Sequence, residues 1–534
     1  MASSAGTGGH VLSAARFLLA TILTLALTAG SPAAAAVGFE LHHRFSDRVR
    51  EWAEERRGAV DHQVARWPDK RSVEYYSALA HHDSALRGRF LAGAGANSSV
   101  DELLAFAARG NITFQIPSMG FLYYAFVELG TPKEEFLVAL DTGSALFWVP
   151  CDCLQCAPTN DMNFYGVNIT YNIYSPSNSS TSQRILCSDA ICSASCTGSN
   201  TTSCPYQVAY ADGGTTSGVL VEDILHLTTQ DSTPQHTIQK PVILGCGRNQ
   251  TGSLLQGGGA NGLLGLARSK IAVPSILASD GLVSDSFSMC FGGDGTGRLD
   301  FGDKGSSQQE ETPLISSKQF GGLYVITITG MVIGNSSIAE SFNAIVDTGT
   351  SFTYLTDPMY TSLAESFDSQ VSEKRRLINN SDLPFEYCYD LSPTQTYFLL
   401  PKTSFTTMGG GKYPINEIVI QVYLQGDSSP SAYCLAVIRS HDGFNIIGEN
   451  FMSGLRLVFD REKLVLGWEN FDCYNKTSST SASSLSESPA APPAMSPAES
   501  GRNPPPQIGS GSSNLDVLTS KLALMVSLLS LAFL

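Results

Sequence analysis

Two short stretches of the chain place an aspartate in the same company. Phe136-Leu-Val-Ala-Leu-Asp141-Thr-Gly-Ser144 returns later as Phe342-Asn-Ala-Ile-Val-Asp347-Thr-Gly-Thr350. Each is an apolar run that enters Asp-Thr-Gly, and more apolar residues follow. They are Leu146, Phe147, Trp148 and Val149 in the first, and Phe352, Tyr354 and Leu355 in the second. An aliphatic pair with a glycine trails each copy: Leu263-Leu264-Gly265 and Ile446-Ile447-Gly448. One Asp-Thr-Gly alone is an ordinary turn. Two of them, in the same order and with the same trailing motif, imply two homologous halves. The chemistry open to such a pair is that of two carboxylates facing each other. Like charges that close cannot both ionise, so the pair holds one shared proton, as is general for such dyads. The charged partner is then a general base for a water between them. The protonated partner polarises a carbonyl and returns a proton to a leaving amine. No metal, cofactor or covalent intermediate is required. The pair titrates as a unit, so neither aspartate is assigned base or acid.

The motif also says how each carboxylate would be held. A strand delivers it to a tight turn at the edge of a core. Gly143 and Gly349 lack a Cβ, so backbone N–H groups can come close to the aspartate. Ser144 and Thr350 have hydroxyls that can hydrogen-bond the carboxylates. Thr142 and Thr348 can tie one turn to its twin.

The surrounding texture fits that requirement. From Ile112 onward, β-branched and aromatic runs alternate with Gly, Pro, Asn and Asp, which predicts a mainly β body. The expected strands include Phe121–Leu129, Glu135–Leu140, Val219–His226, Pro241–Gly245, Leu323–Ile333, Glu417–Leu424, Tyr433–Ile438 and Leu455–Trp468. With 534 residues, 49 glycines, 25 prolines and 15% charged residues, the chain suits a loop-rich, multi-lobed protein. Residues 37–110 differ: basic and acidic side chains balance there, and Ser72–Ala92 has helical spacing. The net charge of −16 therefore falls on the rest of the chain. Such a surface repels phosphate backbones, which argues against a nucleic-acid partner.

The ends and the cysteines indicate a secretory route. Arg16, the apolar run Phe17–Leu27 and the small residues Ala33–Ala36 form a signal-peptide pattern. A membrane anchor is the alternative, but the run is short for a span. The 12 cysteines accompany nine glycosylation sequons, at Asn97, Asn111, Asn168, Asn178, Asn200, Asn249, Asn335, Asn379 and Asn475. Cys151, Cys153 and Cys156 have spacing open to zinc, but no paired histidines follow, and disulfides are expected instead. Seven cysteines lie between Cys151 and Cys204 and five lie beyond, so full pairing requires a bond between the two groups. Residues 475–513 are rich in Ser, Pro and Ala and read as a disordered stalk. Residues 514–534 read as a signal for glycolipid (GPI) anchor attachment, with a tail-type transmembrane helix as the alternative.

At these motifs the sequence resembles the pepsin family of aspartic proteases over about Phe114–Cys473. Within it, the sequence resembles the plant nepenthesin-like branch, through the cysteine-rich insertion after the first Asp-Thr-Gly and through the stalk and tail. The resemblance implies a mainly β, bilobal fold with one aspartate from each lobe in a cleft. After the signal peptide (1–36), it implies a prosegment (37–113), an N-terminal lobe (114–311) and a C-terminal lobe (312–474). It also implies a hairpin flap over Val208–Gly218, with Tyr210 as the flap tyrosine and Trp148 as its hydrogen-bonding neighbour. Cys388 and Cys434 resemble a disulfide of the second lobe. A family prosegment would cover the cleft, but here the segment is neutral, so strong electrostatic docking is not expected. A loosely held extension is the alternative.

The functional expectation is a monomeric aspartic endopeptidase acting on protein or peptide substrates at acidic pH, at the cell surface or outside the cell. A silent binding or inhibitor protein on the same scaffold is the second reading. A glycosidase also needs two acids, but not duplicated Asp-Thr-Gly turns.

Overall fold

The computed structural model describes residues 37–56, 68–80 and 83, the short strands Ala107–Ala108 and Ile112–Thr113, and 123–473 with short breaks in loops. These belong to one compact unit, Met1–Ser479. The expected signal peptide, stalk and anchor signal lie outside the described residues. Among the described residues no helix is long and apolar enough to cross a membrane.

The first lobe is built on one large sheet. Its strands, in chain order, are β1 (Val37–His43), β2 (Tyr123–Leu129), β3 (Glu134–Asp141), β4 (Trp148–Gln155), β5 (Pro205–Ala209), β6 (Thr215–Thr229), β7 (Thr237–Thr251), β8 (Leu263–Gly265), β9 (Ser286–Phe291) and β10 (Thr296–Phe301). They lie in the order β5-β6-β7-β4-β8-β3-β2-β1-β10-β9. β3 has neighbours on both edges, and Phe136–Asp141 are all buried. A strand covered on both faces reads as a continuous apolar run rather than an alternation, which is why the run before Asp141 is so uniform.

The second lobe repeats the plan in a smaller sheet. Its key strands are β11 (Val325–Ile333), β12 (Phe342–Val346), β13 (Thr353–Leu355), β14 (Val437–Arg439) and β15 (Asn445–Ile447), in the order β11-β12-β15-β13-β14. The chain then returns to the first sheet. β16 (Leu455–Asp460) pairs with β9, Phe287 opposite Phe459, and β17 (Val465–Asn470) pairs with β16. The rings of Phe287 and Phe459 stack at 4.7 Å. The expected single run Leu455–Trp468 is thus a hairpin. Its charged break Arg461-Glu-Lys turns the chain, and Leu464 takes the left-handed conformation at φ 58°. The run Tyr433–Ile438 likewise divides, into Ala432–Leu435 and β14, which join different sheets.

The described residues of the segment before the body pack into it. β1 lies between β2 and β10, pairing Val37 through His42 with Phe301 through Thr296. Six of its seven residues are buried. Helix α1 (Asp47–Glu55) follows, with the Ser46 hydroxyl accepting from the Val49 N–H as its cap. It buries Val49, Trp52 and Ala53 against Tyr124, Leu137 and Trp148. Residues 73–80 are helical, within the expected Ser72–Ala92 segment, and Tyr76 donates to the Gln421 carbonyl at 2.9 Å. Backbone pairing and apolar burial, not net charge, attach this leader.

All 12 cysteines are paired: Cys151–Cys246, Cys153–Cys156, Cys187–Cys196, Cys192–Cys204, Cys290–Cys473 and Cys388–Cys434. Cys151–Cys246 is the bond that the odd counts demanded. The three cysteines weighed as zinc ligands are all in disulfides.

Candidate active site

Each aspartate sits at the end of a strand that pairs in parallel with the aliphatic-aliphatic-glycine strand. In the first lobe Leu264 lies opposite Leu140 and Gly265 opposite Asp141. In the second, Ile446 lies opposite Ile345 and Ile447 opposite Val346. The strand leaving each turn then runs antiparallel to the same partner, Trp148 opposite Leu263 and Tyr354 opposite Ile446. The sequence repeat is therefore a repeat of backbone topology. The glycines are steric requirements of it. A Cβ on Gly265 would lie 2.4 Å from the Ala145 carbonyl carbon, and one on Gly448 would lie 2.2 Å from the Phe352 oxygen.

The two turns meet. Thr142 Oγ1 and Thr348 Oγ1 are 3.5 Å apart, and the Thr348 N–H points at Thr142 Oγ1. Asp141 and Asp347 are 0% and 1% exposed. Gly143 N–H donates to Asp141 Oδ1 at 2.9 Å, and Gly349 N–H to Asp347 Oδ1 at 3.0 Å. Charge-assisted bonds of this kind hold a carboxylate in one orientation. Thr350 Oγ1 donates to Asp347 Oδ2 at 2.7 Å. The matching bond expected from Ser144 is absent: its Oγ is buried without a hydrogen bond. Thr350 is β-branched and restricted at χ1, whereas the serine hydroxyl has more rotamers open to it.

The flap region is a hairpin. β5 and β6 pair antiparallel from Pro205 opposite Val219 to Ala209 opposite Thr215. Tyr210 lies outside the described residues. Trp148 is buried beside Tyr124, Leu137 and Leu263, with Tyr206 packed against that cluster. Tyr206 shares a hydrogen bond with Thr216 across the hairpin at 3.0 Å. Of the sequons, Asn178, Asn200 and Asn335 are exposed, and Asn249 is half-buried in β7. Asn168 is in the short strand Val167–Ile169. Asn97, Asn111, Asn379 and Asn475 lie outside the described residues.

Two acids near the second turn carried no sequence signal. Asp83, from the leader, is 0% exposed. It accepts from Ser351 N–H at 2.7 Å, Phe352 N–H at 2.9 Å and Tyr354 OH at 3.1 Å. Burial outweighs these bonds and raises its pKa to about 7. Glu449, directly after Gly448, is raised to about 8, first by burial and then by Glu417 and Asp83. Its N–H donates to the Thr350 carbonyl at 2.8 Å. Asp83 sat in an Ala-rich helical pattern, where a lone acid reads as an exposed face.

The chain is similar to known proteins. Residues 123–303 match the family described as "Xylanase inhibitor N-terminal", and 323–470 match "Xylanase inhibitor C-terminal". Aspartyl protease family protein 1 of Arabidopsis thaliana is 45% identical over 471 residues, 86% of each chain. Aspartic proteinase-like protein 1 of the same plant is 37% identical, covering 87% of this chain and 86% of its own. Nepenthesin-1 of Nepenthes gracilis is 29% identical, covering 66% of this chain and 78% of its own. Among solved structures, conglutin gamma from lupine seeds superposes with a TM-score of 0.52 at 20% identity. It covers 66% of this chain and 92% of its own, a likeness of fold. Two homologous lobes, paired Asp-Thr-Gly turns and extended identity to plant aspartic proteases agree: the chain belongs to the pepsin-like aspartic protease family.

Proposed function

We propose that this protein is an active aspartic endopeptidase. The observation that carries the reading is that both Asp-Thr-Gly turns are intact, buried and tied to each other through Thr142 and Thr348. In the proposed reaction a water between Asp141 and Asp347 attacks the scissile carbonyl. The charged carboxylate takes the water proton. The protonated carboxyl polarises the carbonyl oxygen, and the pair later delivers a proton to the leaving amine. Gly143 and Gly349 hold one oxygen of each aspartate, and Thr350 holds the second oxygen of Asp347. The β5–β6 hairpin is the candidate lid over the substrate, a protein or peptide. The reaction uses one protonated and one charged carboxyl, and cleavage is expected to be fastest at acidic pH.

The secretory route, residues 37–113 as a prosegment, glycosylation and a GPI anchor at the outer face of the plasma membrane belong to the same reading. The sequence patterns and the complete cysteine pairing support it. The alternative is a silent binding protein. It is favoured by the xylanase-inhibitor description of the matching families and by the fold likeness to seed globulins. Shared fold does not decide activity.

The deciding experiment is digestion of an unfolded protein by the purified, secreted chain across pH. Asp141→Ala and Asp347→Ala run in parallel. Acid-dependent cleavage lost in both variants is the expected result. A folded, processed and inert wild type would move the binding reading to first place.

A further inference from the structure

The loop after the second catalytic turn holds more than Asp347. Ser351 and Phe352 present two successive backbone N–H groups to the same point, and Tyr354 OH joins them. All three residues are buried. What they hold is a carboxylate. Asp83 Oδ1 takes the Ser351 N–H, and Oδ2 takes both the Phe352 N–H and the tyrosine OH. Its hydrogen-bond partners are neutral donors. Asp83 and Ser351 are 268 residues apart in sequence, so the contact is made by docking and not by local chain geometry.

The geometry discriminates among ligands. Each carboxyl oxygen receives a backbone hydrogen. A carboxamide offers one oxygen, and its NH2 would face the second N–H, donor against donor. A site built to hydrogen-bond one group rejects the analogue that cannot satisfy it, because its own buried donors are left unpaired. A carboxyl oxygen keeps an acceptor lone pair even when it carries the proton, so this discrimination does not need the charge, which burial here opposes.

The place of the site gives it a role. Ser351 directly follows Thr350, whose hydroxyl holds Asp347 Oδ2. The site is thus one residue along the chain from a side chain that contacts the aspartate pair. We infer that the Ser351 and Phe352 N–H groups with Tyr354 OH form a carboxylate subsite of the cleft, filled by Asp83 in the unprocessed chain and by an acidic residue of the substrate once the leader has been displaced. The inference rests on the proteolytic reading above, and it names the substrate class: peptides with Asp or Glu at one fixed position near the scissile bond. Asp83 is the intramolecular stand-in for that side chain. The pKa of Asp83, raised to about 7, agrees with a site that is dehydrated when full.

The test uses the enzyme produced by processing of the full chain. Peptide pairs differing only as Asp/Asn or Glu/Gln at one position are compared by kcat/KM, position by position. One position is expected to favour the acid by about tenfold or more, the scale of a buried donor left unpaired by the amide. That ratio should shrink toward one in Tyr354→Phe. A ratio near one at every position overturns the inference. Should the wild type prove inert, the proteolytic reading fails separately and the subsite is read by binding. Thermal melts of full-chain Asp83→Ala, or Asp83→Ser if the first does not fold, are taken with succinate and with succinamide. Stabilisation by succinate alone supports a carboxylate receptor, and equal or absent effects overturn it.

Discussion

Thr350 and Ser144 stand at equivalent places, yet only Thr350 reaches its aspartate. The Thr350 bond to Asp347 Oδ2 therefore has no counterpart from Ser144 to Asp141. Thr350→Val removes that bond while keeping the shape. A hydrogen bond to a charged group is worth about 1.5–3 kcal/mol, so kcat/KM should fall by about tenfold or more. Ser144→Ala should fall distinctly less. Steady-state kinetics on one peptide decides this, and equal losses would mean that Ser144 turns to Asp141 once substrate is bound.

At the level of elements, the parallel contact between each aspartate strand and its partner depends on Gly265 and Gly448. Alanine at either site would press a methyl group into the backbone of the adjacent loop. Overpacking of this kind typically costs about 1–3 kcal/mol, and backbone cannot step aside as a side chain can. Chemical denaturation of Gly265→Ala and Gly448→Ala should show a loss at or above the top of that range. The leader carries a different prediction. His42 packs on Phe126, and His43 packs on Phe45, Tyr75 and Tyr123. Burial, with Arg48 beside His42 and Arg44 and Lys70 beside His43, lowers them to about 4 and about 3. The Phe45 N–H donates to His43 Nδ1, which requires that nitrogen unprotonated. Their contribution to attachment is full above the free histidine value of about 6.5 and is lost as pH falls from there toward 3. Asp83 and Glu449, raised to about 7 and about 8, act in the opposite sense. Their contribution is full below about 4 and is lost as pH rises through those values. The two effects offset each other in the mid-acid range. Replacing both histidines by glutamine should therefore raise the melting temperature of the full chain relative to wild type at about pH 3.5, more than at about pH 7.5. An unchanged difference between the two pH values would show that the leader does not titrate through them.

For the whole molecule, the lobes are joined by the return of β16 to β9 and by the Tyr324 OH, which donates to the Leu266 carbonyl at 2.7 Å. Cys290–Cys473 closes the largest loop of the six disulfides, a separation of 183 residues. The chain-entropy estimate for a loop of that size is about 5 kcal/mol, against about 2–3 kcal/mol for the short insertion loops. Replacing both cysteines by serine should cost more stability than the same change at Cys187–Cys196. Paired denaturation curves would show it, and the reverse ranking would mean that residual structure, not loop length, sets the unfolded state.

What the sequence determined by itself is whatever repeats over short distances. The two Asp-Thr-Gly turns, their apolar frames and the trailing aliphatic-glycine motifs are each local, and a strand delivering a carboxylate to a turn needs only a handful of residues. The odd cysteine counts required a bond between the two groups, because pairing is arithmetic. Only the tertiary structure decided that this bond is Cys151–Cys246, that β1 enters the main sheet, and that Leu455–Asn470 is a hairpin closing one lobe onto the other. It also decided that Asp83 meets Ser351 across 268 residues and that Ser144 does not reach Asp141. These depend on packing between segments far apart in the chain. Local periodicity records whether a face is apolar, and not which distant backbone will cover it.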